Sequence, residues 1–220
     1  MRSYTRLMPR LLLATNNAGK VAEYRTLLQR CGWEIVTPKE IGVELGDDEP
    51  HETYAENAEL KARRAAEASG LVALADDSGI EIDAMGGEPG VRSARFLGEE
   101  ATYEERFAEI DRRLDGLPPE QRGARFVCVI AITDPKTDAV RFAEGSVRGL
   151  IAYEPRGEGG FGYDPIFWVP QHSATMAELP PGEKDIISHR GRASAPAREI
   201  LRELLLQHSP PDPGYAREEA

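Results

Sequence analysis

Basic residues are in short supply in this 220-residue chain: 27 Lys and Arg stand against 38 Asp and Glu, a net charge of −11. That deficit argues against a general nucleic-acid surface, which is normally basic. It leaves room for a small anion, because a few local cations and backbone N–H groups suffice to hold one. Long apolar runs are missing too. The longest, over 126–132, has seven residues, whereas a membrane-spanning helix needs about 20. Arg2, Arg6 and Arg10 lead into Leu11-Leu12-Leu13-Ala14, but a secretory core needs about 7–15 apolar residues and Asn16-Asn17 end this one. Only two cysteines occur, Cys31 and Cys128, 97 positions apart, which excludes a disulfide framework and metal-type spacing. Cys128 lies inside the apolar run and reads as a buried thiol, so a reducing cytoplasm is the expected location.

What is present is a globular composition, 40% hydrophobic and 30% charged, at a length that suits one domain with a sizeable core. Between Arg10 and Gln207 short apolar runs alternate with helical patterns, the signature of an α/β domain. Residues 1–9 read as a flexible N-terminus, 10–207 as a single domain, and 208–220, Pro-rich from Ser209, as a disordered tail. Strands are expected over 10–15, 33–36, 71–75 and 80–83, with a turn at Asp76-Asp77-Ser78-Gly79 between the last two. Val21, Tyr24, Leu27 and Leu28 recur at helical spacing before Gly32. Residues 38–52 read as an acidic loop. Thr53-Tyr54-Ala55-Glu56 and Thr102-Tyr103-Glu104-Glu105 have the capping-box pattern and predict helices to about Ser69 and Leu114. A β-meander follows over 124–153, turning at Asp134-Pro135. The last helical region, over 183–206, should break at Pro196, with Ser194 as a new cap.

Four segments offer chemistry, and each has a plainer reading. Ala14-Thr15-Asn16-Asn17-Ala18-Gly19-Lys20 falls between a strand and a helix, where N–H groups and Lys20 favour an anion; alone, it is also an ordinary helix start. It is not a Walker A loop, since Ala14 and Val21 occupy positions that motif requires to be Gly and Ser or Thr. Asp76-Asp77-Ser78-Gly79 at a strand end supplies carboxylates suited to Mg²⁺, or is merely an Asp-rich turn. Gly157-Glu158-Gly159-Gly160-Phe161-Gly162 matches G-x-G-x-x-G literally, but Pro165 and the apolar residues 166–169 make a Rossmann context wrong. A Gly-rich turn presenting Phe161 or Tyr163 to a base, or plain core aromatics, suits it better. Lys184 with Ser188-His189-Arg190 places a cation and a hydroxyl at i, i+4 on a helix, either for a ligand or on a solvated face.

Together these motifs resemble the Ham1-type inosine triphosphate pyrophosphatase family over about residues 11–206. The resemblance rests on 14–20, on Glu56-Asn57 with Lys61-Ala62, and on Ala75-Asp76-Asp77-Ser78-Gly79. It continues through Gly86-Gly87, Pro89-Gly90-Val91 and Ser93-Ala94-Arg95, then 160–167 and Ser188-His189-Arg190-Gly191. It implies an elongated mixed central sheet flanked by helices, two lobes with the active site in the cleft between them, and a homodimer. It also implies Mg²⁺-dependent hydrolysis of deaminated purine nucleotides (ITP, dITP, XTP) to the monophosphate and pyrophosphate, with no nucleic acid polymer or membrane as partner. Carried over by position, Thr15, Asn16, Asn17, Ala18, Gly19 and Lys20 hold the triphosphate and Ser78 touches the nucleotide. Asp77 is the catalytic carboxylate, sharing the metal with Asp48, beside which Glu49 and Glu52 are further acids of the same loop. Phe161, Gly162, Tyr163, Asp164, Lys184, His189 and Arg190 shape the base pocket. The stretch from Arg192 to Pro196 departs from the family's uninterrupted final helix.

Overall fold

The computed structural model describes residues 8–46 and 49–208; Asp48, residues 1–7 of the expected flexible terminus and the tail after His208 lie outside the described residues. Seven strands form one mixed sheet in the order β2-β1-β3-β4-β5-β6-β7. They are β1 (Arg10–Leu13), β2 (Glu34–Val36), β3 (Val72–Ile82), β4 (Gly123–Thr133), β5 (Val140–Ile151), β6 (Phe167–Val169) and β7 (Ala174–Thr175). β1 runs parallel to both β2 and β3, and the other pairings are antiparallel. Helices α1 (Ala18–Leu27), α2 (Pro38–Ile41), α3 (Tyr54–Ser69), α4 (Tyr103–Arg113), α5 (Pro181–Ile187) and α6 (His189–His208) flank it. Among the described residues no helix is long and apolar enough to cross a membrane.

Both threonines cap as read, but only the box at Thr102 closes on the backbone, since Glu56 accepts the Thr53 hydroxyl at 2.6 Å instead. Thr53 and Thr102 each accept the N–H three residues on, at 3.2 Å, and Thr102 N–H returns to Glu105 at 2.8 Å. α3 ends at Gly70 in a left-handed cap, φ 68°. Three expectations are corrected. The acidic loop contains α2, started by Thr37, Pro38 at its first position and Glu40. Asp76-Asp77-Ser78-Gly79 is not a turn: β3 runs unbroken through it, because β4 pairs with it residue by residue from Ala73↔Thr133 to Ile82↔Ala124. Cross-strand pairing here overrides the turn preference of Asp and Gly. α6 likewise continues through Pro196. The break falls earlier, at Ser188, whose extended backbone (ψ 159°) closes α5 and whose Oγ accepts Gly191 N–H at 3.0 Å. Ser188, not Ser194, caps the last helix.

Strand alternation sorts the core. On one face of β3, Leu74 joins Cys128, Ile130 and Ile132 under Tyr24, Ala197 and Leu201 of α1 and α6. Farther along the same strand, Ile80 and Ile82 join Ala124, Phe126, Ile110 and Leu114 in a second cluster. The other face of β3 carries Ala73 and Ala75 against Ala58, Ala62 and Ala65, which recur at i, i+4, i+7 on α3. Between the first two clusters lie Asp76 and Ser78. A buried Leu or Ile is worth about 1.5–3 kcal/mol, whereas an unpaired buried carboxylate costs several. This seam persists only because cations are brought to it.

Candidate active site

β1 pairs with β3 only as far as Leu13↔Leu74, and Ala14 N–H adds a last bond to Leu74 O at 2.8 Å. At the far end the same edge of β3 is covered again: Ile80 N–H donates to Ser93 Oγ at 2.8 Å and Ile82 N–H to Glu88 O at 3.1 Å. The site occupies the interval, residues 76–79, where the chain leaving β1 becomes the start of α1. Asn17 caps that helix, its Oδ1 accepting Lys20 N–H at 3.0 Å, and Thr15 Oγ1 accepts Asn17 N–H at 3.2 Å. Thr15–Lys20 is thus a helix N-terminus of the expected kind, with Asn16, Asn17 and Ala18 exposed. No side chain fits at Gly79: a Cβ there would lie 2.2 Å from Gly90 O.

Adjacent residues of a strand face opposite ways, and the two aspartates have different fates. Asp76 faces α1 and α6. Its Oδ1 lies 2.9 Å from Lys20 Nζ, and its Oδ2 accepts from Arg190 Nη2 at 3.2 Å. Burial would raise its pKa, but Lys20 and Arg190 outweigh burial and hold it well below the usual carboxylate range. Asp77 faces α3, accepting from Asn57 Nδ2 and Lys61 Nζ, each at 3.2 Å. Burial pushes its pKa up, Lys61 opposes and Glu49 adds to the rise. Lys61 also bonds Glu49 Oε1 at 2.8 Å; burial would raise the Glu49 pKa, but Lys61, Lys20 and Arg95 together outweigh it and lower the pKa. Asn57 and Lys61 carry the missed part of the site. Their i, i+4 spacing was the available signal, and only the fold reveals that it points at Asp77.

A second set of charges ties the remaining candidates together. Glu23 of α1 receives Lys184 Nζ and Arg190 Nη1, both at 2.6 Å. Lys184 also donates to Asp164 Oδ2 at 2.7 Å, the atom that accepts Phe161 N–H at 2.8 Å. Signs therefore alternate from Asp164 through Lys184, Glu23, Arg190 and Asp76 to Lys20. Arg190 also donates to Ser78 Oγ at 3.0 Å. Its four hydrogen bonds use four of five guanidinium N–H groups. Phe161 packs directly over Gly19, whose Cβ would meet the ring at 2.5 Å, and Lys184 and Arg190 each lie 5.3 Å from the ring centroid. Gly162 takes φ 67° in the same turn. His189 stacks on Phe126 with centroids 4.6 Å apart, its Nδ1 without a hydrogen-bond partner, and burial pushes its pKa well down. Tyr163 is the exception among the aromatics. It is buried and its hydroxyl donates to Ser93 O at 2.7 Å, yet it still lines the aromatic cavity.

Two cavities meet at Lys20 and Glu49. One is walled by Phe161, Phe126, His189 and Arg190, with Asp77 and Ser78 on its floor. The other is lined by Thr15, Asn16, Asn17, Lys61, Arg64 and Asp76. The first is aromatic and the second rich in cations, which suits a base and a polyphosphate respectively. Among the described residues no three His, Cys, Asp or Glu side chains converge as a metal cage. Mg²⁺ does not require one, since it takes one or two carboxylates together with substrate phosphates. Glu49 and Asp77, hard oxygen donors within reach of one ammonium, fit that requirement.

A protein-family model described as the Ham1 family matches residues 11–200. The dITP/XTP pyrophosphatase of Desulforamulus reducens is 49% identical over 197 residues, covering 90% of this chain and 98% of that protein. The protein of the same name from Escherichia coli K12 is 44% identical over 196 residues, covering 89% and 99%. A solved HAM1 protein from Coxiella burnetii superposes with a TM-score of 0.80 at 44% identity, covering 89% of this chain and all of that one.

Proposed function

The chain belongs to the Ham1 family, and from that premise we propose that it is a Mg²⁺-dependent pyrophosphatase of deaminated purine nucleoside triphosphates. It hydrolyses ITP, dITP and XTP to the monophosphate and pyrophosphate, within one domain over 10–207 and as a cytoplasmic homodimer. The observation that carries the reading is the pair of cavities joined at Lys20 and Glu49, with Asp77 on the floor of the aromatic one. A purine in that cavity leads its phosphates past Asp77 to the α1 N-terminus. The triphosphate then lies on Thr15, Asn16, Asn17, Ala18, Gly19 and Lys20, with Lys61 on its other side. Ser78 lies beside the nucleotide, and Phe161, Gly162, Tyr163, Asp164, Lys184, His189 and Arg190 form the base pocket.

A phosphoryl centre is shielded by negative oxygens, so neutralisation and positioning dominate its catalysis. Lys20, Lys61 and the helix N-terminus serve the first need. Asp77 serves the second by accepting a proton from the attacking water, and its upward-shifted pKa suits a base better than the strongly acidic Asp76. Mg²⁺, held by Asp77 and Glu49, supplies further charge neutralisation when bound. In this reading Glu49 takes the metal role that the resemblance assigned to Asp48. The test is incubation with ITP and Mg²⁺ followed by product identification. IMP and pyrophosphate are expected, whereas IDP and orthophosphate would refute the reading. Asp77→Asn should lower kcat by about 10²–10⁴ with KM little changed; near-normal turnover would move the base elsewhere.

A further inference from the structure

We propose that Arg95 is a positioning residue that aims Glu49 at Asp77 and so sets the affinity of the site for its divalent cation. The inference rests on the function proposed above. Glu49 and Asp77 share one ammonium, Lys61, and as like charges they repel. Lys61 alone does not hold the second acid in place, because Glu49 sits in a loop and carries a flexible side chain. Arg95 supplies the missing restraint. Its Nη1 donates to Glu49 Oε2 and its Nη2 donates to the Glu49 main-chain oxygen at 2.7 Å. One planar fork therefore fixes both backbone and carboxylate, and the remaining oxygen, Oε1, is left facing Lys61 and Asp77.

The base of the clamp is itself fixed. Arg95 ends the 3₁₀ turn Gly90–Arg95. Ser93 of that turn accepts Ile80 N–H at 2.8 Å, donates to Gly90 O at 2.6 Å, and its carbonyl accepts Tyr163 OH at 2.7 Å. Glu49 is thus registered against β3 three residues from Asp77. The Arg95 side chain is 31% exposed, so it is a brace at the rim and not part of a core.

The full-length chain is compared as wild type, Arg95→Ala and Arg95→Lys. Mn²⁺ binding is followed by electron paramagnetic resonance with the metal alone, and ITP hydrolysis by Mg²⁺ titration. Arg95→Ala should weaken Mn²⁺ binding and raise half-saturating Mg²⁺ at least about tenfold. Its kcat at saturating Mg²⁺ and its KM for ITP should stay within about threefold. Arg95→Lys should fall between, since one ammonium cannot span both acceptors as the fork does; it decides the matter if the alanine variant does not fold. Unchanged Mn²⁺ affinity, or an equal loss of kcat at every Mg²⁺ concentration, would overturn the proposal. A wild type that binds Mn²⁺ yet releases no pyrophosphate would instead refute the functional reading.

Discussion

Asp76 and Asp77 are chemically identical neighbours, and the strand gives them opposite surroundings. Asp76 is enclosed by Lys20 and Arg190, so removing its charge takes from Lys20 its carboxylate and leaves the buried Arg190 with Glu23 alone. Asp76→Asn should therefore destabilise the fold by about 3–5 kcal/mol, measured by urea denaturation; a loss under about 1 kcal/mol would contradict the pairing. His189 yields a pH prediction. Burial keeps its imidazole neutral in the folded protein well below the ordinary histidine value of about 6.5, while the unfolded chain protonates near that value. As pH falls below about 6.5 the unfolded state alone gains the proton. His189 thus contributes stability that is full above 6.5 and lost on acidification down to its folded pKa, by at most about 1.4 kcal/mol per pH unit. Denaturation midpoints of wild type and His189→Phe between pH 5 and 8 check this, and the wild type should show the steeper decline. The sequence marked Asp77, Lys20 and Arg190 as chemistry. It left Glu23 unmarked, because an acid in the first turns of a helix looks solvated until Lys184 and Arg190 are brought to it.

At the scale of elements, both threonine N-caps, the β-meander and the strand leading into α1 were legible, since each rests on local chemistry. Two boundaries were not. The turn preference of Asp-Asp-Ser-Gly yields to a partner strand some 50 residues away, and that register is invisible locally. Ser188 rather than Pro196 breaks the last helical region because His189 and Arg190 must leave α5 to reach the seam. α6 then packs against β5 through Gly145, where a Cβ would lie 2.3 Å from Ala193 N and 2.4 Å from His189 O. Both neighbours are backbone and cannot rotate away. Gly145→Ala should cost about 1–3 kcal/mol through overpacking and raise KM for ITP by displacing His189 and Arg190. A denaturation curve and a substrate titration would show both effects; a wild-type curve would mean that α6 is not seated on β5 as described.

For the whole molecule, a sheet face split by a polar seam produces two adjoining cavities. A net charge of −11 coexists with a locally cationic cavity, because Lys20, Lys61 and Arg64 are gathered by α1 and α3. The alternation of apolar runs with helical patterns carried the α/β class, and motif order carried the family. Composition and motif order do not yield how the cavities share Lys20 and Glu49, since that depends on where β1 stops. The arrangement makes base identity the decisive question. In the proposed reading, the one Arg190 N–H without a partner among the described residues donates to the C6 carbonyl of hypoxanthine or xanthine but opposes the amino group of adenine. A buried donor facing donors costs about 1–3 kcal/mol, or roughly 5- to 150-fold in kcat/KM. The most direct measurement is kcat/KM for pyrophosphate release from ITP, XTP and ATP by the wild-type protein with Mg²⁺. ITP and XTP should exceed ATP within that range; equal values for ITP and ATP would contradict the role proposed for Arg190.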